Sequence, residues 1–173
     1  ARAREGGLVS GGTRELAKRR AAGGGATDYL VFRVGGATCG VAVPHVREIV
    51  RGSRLTPVPR APRAVVGITS FRGRIVTVFD LAQRLAHDPA SRPGARGGDP
   101  SRRRTLMLQI GTETLGFEVD EVLQVRRIAD EDVEPAGAAL GADIAPHVLG
   151  VARPTRDAGG EAIVLLSAQE LAS

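Results

Sequence analysis

At 173 residues the chain can hold one ordinary domain or two small ones sharing a core, and with 42% hydrophobic but only 3% aromatic residues that core must be built from Val, Leu, Ile and Ala. No apolar run approaches the ~18–20 residues that cross a bilayer, no signal-peptide stretch opens the N-terminus, and the single cysteine, Cys39, excludes an intrachain disulfide framework, so a cytoplasmic protein is expected. The net charge of +5 sits mainly in residues 1–26, where Arg2, Arg4, Arg14, Lys18, Arg19 and Arg20 face Glu5 and Glu15; the rest of the chain is close to neutral, which does not favour a nucleic-acid surface.

Residues 1–26 are rich in Gly and Ala and read as a basic, mostly disordered tail, with room for a short helix over Thr13–Ala22. The folded part begins near Thr27. Leu30, Phe32 and Val34 alternate as in a strand, Gly35-Gly36 is a hairpin turn, and Thr38–Val43 returns as a second strand. Pro44 starts a short helical turn through Glu48 and Val50. Prolines 57, 59 and 62 forbid helix and central strand over Ser53–Pro62. Val65–Phe71 and Ile75–Phe79 are strands joined by a turn at Arg72-Gly73-Arg74. Asp80 and Gln83 have capping-box spacing and open a short helix with Leu81 and Leu85. His87–Arg103 is a loop.

The pattern then starts again. A shift that places Tyr29 on Thr105 also places Leu30 on Leu106, Gly40 on Gly116, Val46 on Val122 and Arg51 on Arg127, without a gap. Ile75–Phe79 followed by Asp80 and Gln83 is echoed by Ala162–Leu166 followed by Ser167 and Glu170. The chain is therefore an internal duplication of one β-rich unit, 28–86 with returning C-terminal elements and 104–172. Four or five short strands in an open sheet would leave bare edges, so each unit should curl into a small barrel. Alone each would be marginal, so the two should pack together and leave a groove where they meet.

Residues capable of catalysis or metal binding are sparse. Cys39 falls on Leu115 in the second copy, which makes it a core thiol rather than a nucleophile. His45, His87 and His147 have no ligand spacing, and no glycine run has the setting of a phosphate-binding loop. No enzyme activity, metal or cofactor is expected. Arg72-Gly73 has two readings. In one, Gly73 supplies a positive φ and Arg72 is a plain turn residue. In the other, the hairpin aims the Arg72 guanidinium at a partner's carboxylate or amide.

Tyr29-Leu-Val-Phe-Arg-Val-Gly-Gly36, Val46-Arg-Glu-Ile-Val-Arg51, Thr56-Pro-Val-Pro59 and the run from Gly67 through Arg72-Gly73 to Asp80-Leu81 resemble the CheW-like family of chemotaxis coupling proteins. So do Gly116–Leu123 and Gly150-Val-Ala-Arg153, and the likeness covers Asp28 to Leu171. Ser70-Phe71 stands where the family commonly has Asn-Leu, and Thr77 where it commonly has Pro, which points to a divergent paralogue. The resemblance implies a mainly β fold of two pseudo-symmetric, five-stranded SH3-like barrels with short helices, spanning 27–173. It implies no catalysis and no cofactor.

The implied partners are the cytoplasmic tip of a methyl-accepting chemoreceptor and the regulatory domain of a CheA-type histidine kinase. Such an adaptor works in the cytoplasm, recruited to receptor arrays without inserting in the membrane. By position, Arg72 with Gly73 matches the family's functional arginine, Glu48 the acidic residue that can pair with it, and Val46 and Ile49 apolar contact positions. Burial in the core is the other reading of Val46 and Ile49. A CheW-like adaptor for a different signalling complex is an alternative. So is a small-barrel nucleic-acid binder using Arg102–Arg104, although its stacking aromatics would have to be Tyr29, Phe32, Phe71, Phe79 and Phe117, mostly core positions.

Overall fold

The computed structural model describes residues 11–52, 54–85, 98–135, 147–153 and 161–172. Eleven strands form two sheets. The first half supplies β1 (Ala26–Val34), β2 (Ala37–Ala42), β3 (Val46–Val50), β4 (Val65–Phe71) and β5 (Arg74–Asp80). The second supplies β6 (Arg104–Ile110), β7 (Glu113–Val119), β8 (Glu121–Ala129), β9 (Val133–Glu134), β10 (Val148–Ala152) and β11 (Ile163–Leu166). Short helices α2 (Leu81–Leu85) and α3 (Ala168–Leu171) close the two halves. The Asp80 carboxylate caps α2 by accepting from the Ala82 amide at 3.0 Å, while the Asp80 amide, which a capping box would give to Gln83, donates to the Ala64 carbonyl at 2.8 Å.

The sheet orders are β8-β1-β2-β11-β10-β9 and β3-β6-β7-β5-β4. Each sheet therefore takes its central hairpin from the other half: β1–β2 lies among second-half strands, and β6–β7 among first-half strands. The exchange repeats in detail. Both long strand pairs, β3·β6 and β1·β8, shift register at one bulge, with Arg47 skipped in β3 and Leu123, its counterpart, skipped in β8. Both closing strands run parallel to a hairpin strand, with Val78 opposite Gly116 and Leu165 opposite Gly40. Those two glycines have a shared cause. A Cβ on Gly116 would lie 2.9 Å from Val78 Cγ2, and one on Gly40 3.1 Å from Leu165 Cδ2. A side chain there would collide with the core of the closing strand.

Two expectations need correction. The barrels are not closed five-stranded rings. One sheet has six strands and the other five, and among the described residues no ladder joins the end strands of either. The sixth strand, β9, pairs with β10 at Glu134↔Val151; its counterpart in the other sheet is the single bridge Thr56↔Ile68, kept that short by the prolines around it. Residues 46–50 are not a helical turn either. Only Val43–His45 coils, in a 3₁₀ turn, and β3 follows because it has a partner, β6, distant in sequence, in the register Val46↔Leu108 to Val50↔Thr105.

Over residues 11–25 the expected tail gives way to the short helix for which Thr13–Ala22 had room. They are not a tail: Gly11–Ala21 form helix α1, docked on the six-stranded barrel, while residues 1–10 lie outside the described residues. Leu16 is 1% exposed, within a cluster containing Tyr29, Val31, Ile128, Val133, Leu149, Ala152 and Leu165. Its burial contributes about 1.5–3 kcal/mol. The Arg19 guanidinium donates to the Tyr29 hydroxyl at 3.2 Å, and Arg20 donates to the Asp130 carbonyl at 3.0 Å and to the Val133 carbonyl. Ser167 donates to Glu15 instead of capping α3. A second cluster, with Leu30, Phe32, Cys39, Leu106, Leu108, Phe117 and Leu166, draws on both sheets and joins the two barrels in one core.

Candidate functional site

Chemistry can be dealt with first. Cys39 is 2% exposed, and burial pushes its thiol up to about 12, so it is no nucleophile at neutral pH. His45 Nδ1 lies 3.3 Å from the Gln109 carbonyl and His147 Nδ1 3.0 Å from the Glu170 carbonyl; His87 lies outside the described residues. Among the described residues no three His, Cys, Asp or Glu side chains gather as metal ligands would. The adjacent carboxylates Asp120 and Glu121, at the start of β8, make local contacts. Asp120 accepts from the Gly35 amide at 3.0 Å, and Glu121 pairs with Arg102 at 3.1 Å.

The surface is more informative. Arg72 and Gly73 form the two-residue turn between β4 and β5, with φ of 49° and 77°. Two central residues at positive φ define the hairpin turn whose twist suits the flanking strands. Glycine takes that conformation freely, whereas an arginine there costs ~1–2 kcal/mol. The arginine is exposed, and its guanidinium lies 5.1 Å from the centroid of the Phe71 ring. The turn thus holds a planar cation at the surface in a backbone conformation that an arginine adopts only at a cost.

Glu48 does not join it. Both residues are exposed, and no ion pair between them occurs among the described residues. The residue that reaches the Arg72 cleft from β3 is Arg47, whose Nε donates to Gln109 Oε1 at 2.6 Å. The cleft holds about 280 Å³ and is lined by Arg47, Phe71, Arg72, Arg74, Val76, Gln109 and Thr114. Arg47 is the bulged residue of β3, and sequence alternation cannot foresee a bulge.

Val46 and Ile49 share the end strand but not the same burial. Val46 is half-buried against the joint core, and Ile49 is 41% exposed. Four exposed apolar side chains were not singled out from the sequence: Leu123 at 39%, Val58 at 40%, Val125 at 57% and Ile75 at 69%. The repeat contained the signal for two of them, since Val125 is the counterpart of Ile49 and Leu123 of Arg47. The repeat-related end strands β3 and β8 thus carry exposed apolar groups along edges that join no further strand among the described residues, a feature of protein-docking edges. The aromatics offer no platform for stacking bases: Tyr29, Phe32 and Phe117 are buried, and Phe79 stacks on Phe117 at 5.5 Å. A nucleic-acid reading is not favoured.

A duplicated pair of open barrels with apolar end strands, and no assembled reactive groups among the described residues, defines a protein-coupling module. The comparisons with known proteins agree. The model of the CheW-like domain matches residues 28–173, and the chain belongs to that family of chemotaxis coupling adaptors. It is 37% identical over 145 residues to protein FrzA of Myxococcus xanthus, covering 83% of this chain and 84% of that protein. It is 30% identical over 112 residues to chemotaxis protein CheW of Rhizobium meliloti, covering 64% and 67%. The crystal structure of scaffolding protein TtCheW from Thermoanaerobacter tengcongensis superimposes with a TM-score of 0.69 at 26% identity, covering 85% of this chain and 92% of that one.

Proposed function

We propose that the chain is a non-enzymatic adaptor that couples the cytoplasmic tip of a methyl-accepting chemoreceptor to the regulatory domain of a CheA-type histidine kinase. It acts in the cytoplasm, recruited to membrane-associated receptor arrays; no described helix is long and apolar enough to cross a membrane. One observation carries the reading: the duplicated fold leaves apolar groups exposed on two repeat-related end strands, Ile49 on β3 and Leu123 and Val125 on β8. Two such surfaces on one rigid core allow two partners to be held at once. On the first, Val46, Glu48 and Ile49 with the Arg72-Gly73 turn form the partner-binding face, in which Ile49 supplies apolar contact and Arg72 orientation.

The test is a pull-down with wild type and Ile49→Asp in parallel, probed for chemoreceptors and CheA-like kinases. Ile49 is already exposed, so the variant should fold and retain its melting temperature. The proposal expects recovery by wild type and a loss of at least tenfold in the variant. Recovery of neither partner by wild type would overturn it.

A further inference from the structure

The two barrels are copies, yet their mouths are treated differently. Helix α1 packs on β10 of the six-stranded barrel, and Leu16 joins one buried cluster with Val31, Ile128 and Ala152 among others. The repeat equates these three positions with Met107, Gly52 and Thr69 of the five-stranded barrel. All three line an open cleft of about 500 Å³, together with Val50, Arg54, Thr56, Ile68, Ser70, Phe71 and Ile75. The cleft is therefore the counterpart of the α1 seat. It is hollow because Ile128 is replaced by Gly52 and no helix of this chain reaches it among the described residues. Ile75, 69% exposed, stands at its rim beside the Arg72 turn.

Charge separates the two seats as well. Basic α1, with Lys18, Arg19 and Arg20 in its last turn, rests beside Asp130 and Glu131, which line the cleft next to Arg20. The open seat has the opposite rim. Arg54 lines the mouth, Arg47, Arg72 and Arg74 line the adjoining cleft, and among the described residues no carboxylate lines either.

We propose that the open mouth of the five-stranded barrel is a docking site for an acidic amphipathic helix of a partner protein, seated as α1 is seated on the six-stranded barrel. One large aliphatic side chain takes the place of Leu16 between Met107, Thr69 and Ile75, and flanking carboxylates meet Arg54, Arg72 and Arg74. This goes beyond the coupling role, since it specifies the chemistry of a ligand and requires neither receptor nor kinase.

The probe is a lactam-bridged peptide of residues 11–22 with its charges inverted: Arg14, Lys18, Arg19 and Arg20 become glutamate and Glu15 becomes arginine. It is titrated into the full, isotope-labelled chain and followed by NMR. Shifts should concentrate at Thr69, Phe71, Ile75 and Met107. Ile75→Glu and Arg54→Glu, both at exposed positions, should each weaken binding at least tenfold, as should alanine at the peptide's leucine. The unaltered basic peptide should bind at least tenfold more weakly. Three results would overturn the proposal: no shifts at the mouth up to millimolar peptide, shifts confined to other surfaces, or equal binding of the basic peptide. The last would assign the mouth to α1 of a second copy.

Discussion

Replacing Arg72 with asparagine separates what the turn needs from what a partner needs. Arg72 holds φ of 49° in a two-residue turn closed by the pair Phe71↔Arg74. Asparagine adopts this conformation at far lower cost, so the substitution relieves about 1 kcal/mol of the ~1–2 kcal/mol of strain. It also removes the contact of the guanidinium with the Phe71 ring, worth about 0.5 kcal/mol at an exposed site. The net effect is a gain of roughly 0.5 kcal/mol, or a melting temperature higher by about 1–2 °C in a chain of this size. Arg72→Asn should therefore melt at or slightly above wild type in calorimetry while losing at least tenfold in partner affinity. A fall of more than about 3 °C would show that the arginine is structural, and the argument from strain to function would fail.

Three further outcomes follow from the packing. Cys39 should not react with a thiol reagent at pH 8 in the folded protein and should react fully in denaturant. Because its folded pKa is raised from 9.0 to about 12, its contribution to stability is complete below pH 9 and should fade as pH rises from there towards 12, which urea titrations across that range would detect. Gly116→Ala should cost about 1–3 kcal/mol in urea unfolding, since the added carbon meets Val78 Cγ2 at 2.9 Å and Thr105 Cγ2 at 3.2 Å. Leu16→Ala should weaken the docking of α1 by about 2–3 kcal/mol, read as lost amide-exchange protection in the helix while β1 and β6 stay protected.

Much of this architecture is visible in the sequence because duplication writes it twice. The alternation of Leu30, Phe32 and Val34 and its repetition from Leu106 locate the central hairpins, and Gly40 and Gly116 mark where the closing strands approach. The hairpin exchange is not visible. The same repeat would arise whether β1–β2 stayed with its own half or crossed to the other, and only the registers β1·β8 and β3·β6 decide it. Strand β3 was hidden by its bulge at Arg47 and by Pro44, which together imitate the start of a helix. A helix over Thr13–Ala22 was legible as an option, but its docking was not, because it rests on one large apolar side chain, Leu16, in a segment whose composition resembles a tail. The Arg72 turn was legible as a turn, but its strain was not, since a positive φ at arginine has no signature in the residue itself. The pairing of Arg72 with Glu48 came from resemblance alone, and the structure brings Arg47 to that cleft instead.

The central claim is that one molecule holds a receptor and a kinase together. Its most direct test is co-sedimentation of purified CheA-type kinase with vesicles bearing a chemoreceptor's cytoplasmic domain, with and without this chain. The account predicts that the kinase pellets with the receptor only when the chain is present, and that Ile49→Asp abolishes the effect. Kinase that pellets equally well without the chain, or that stays in solution when the chain itself is bound to receptor, would contradict it.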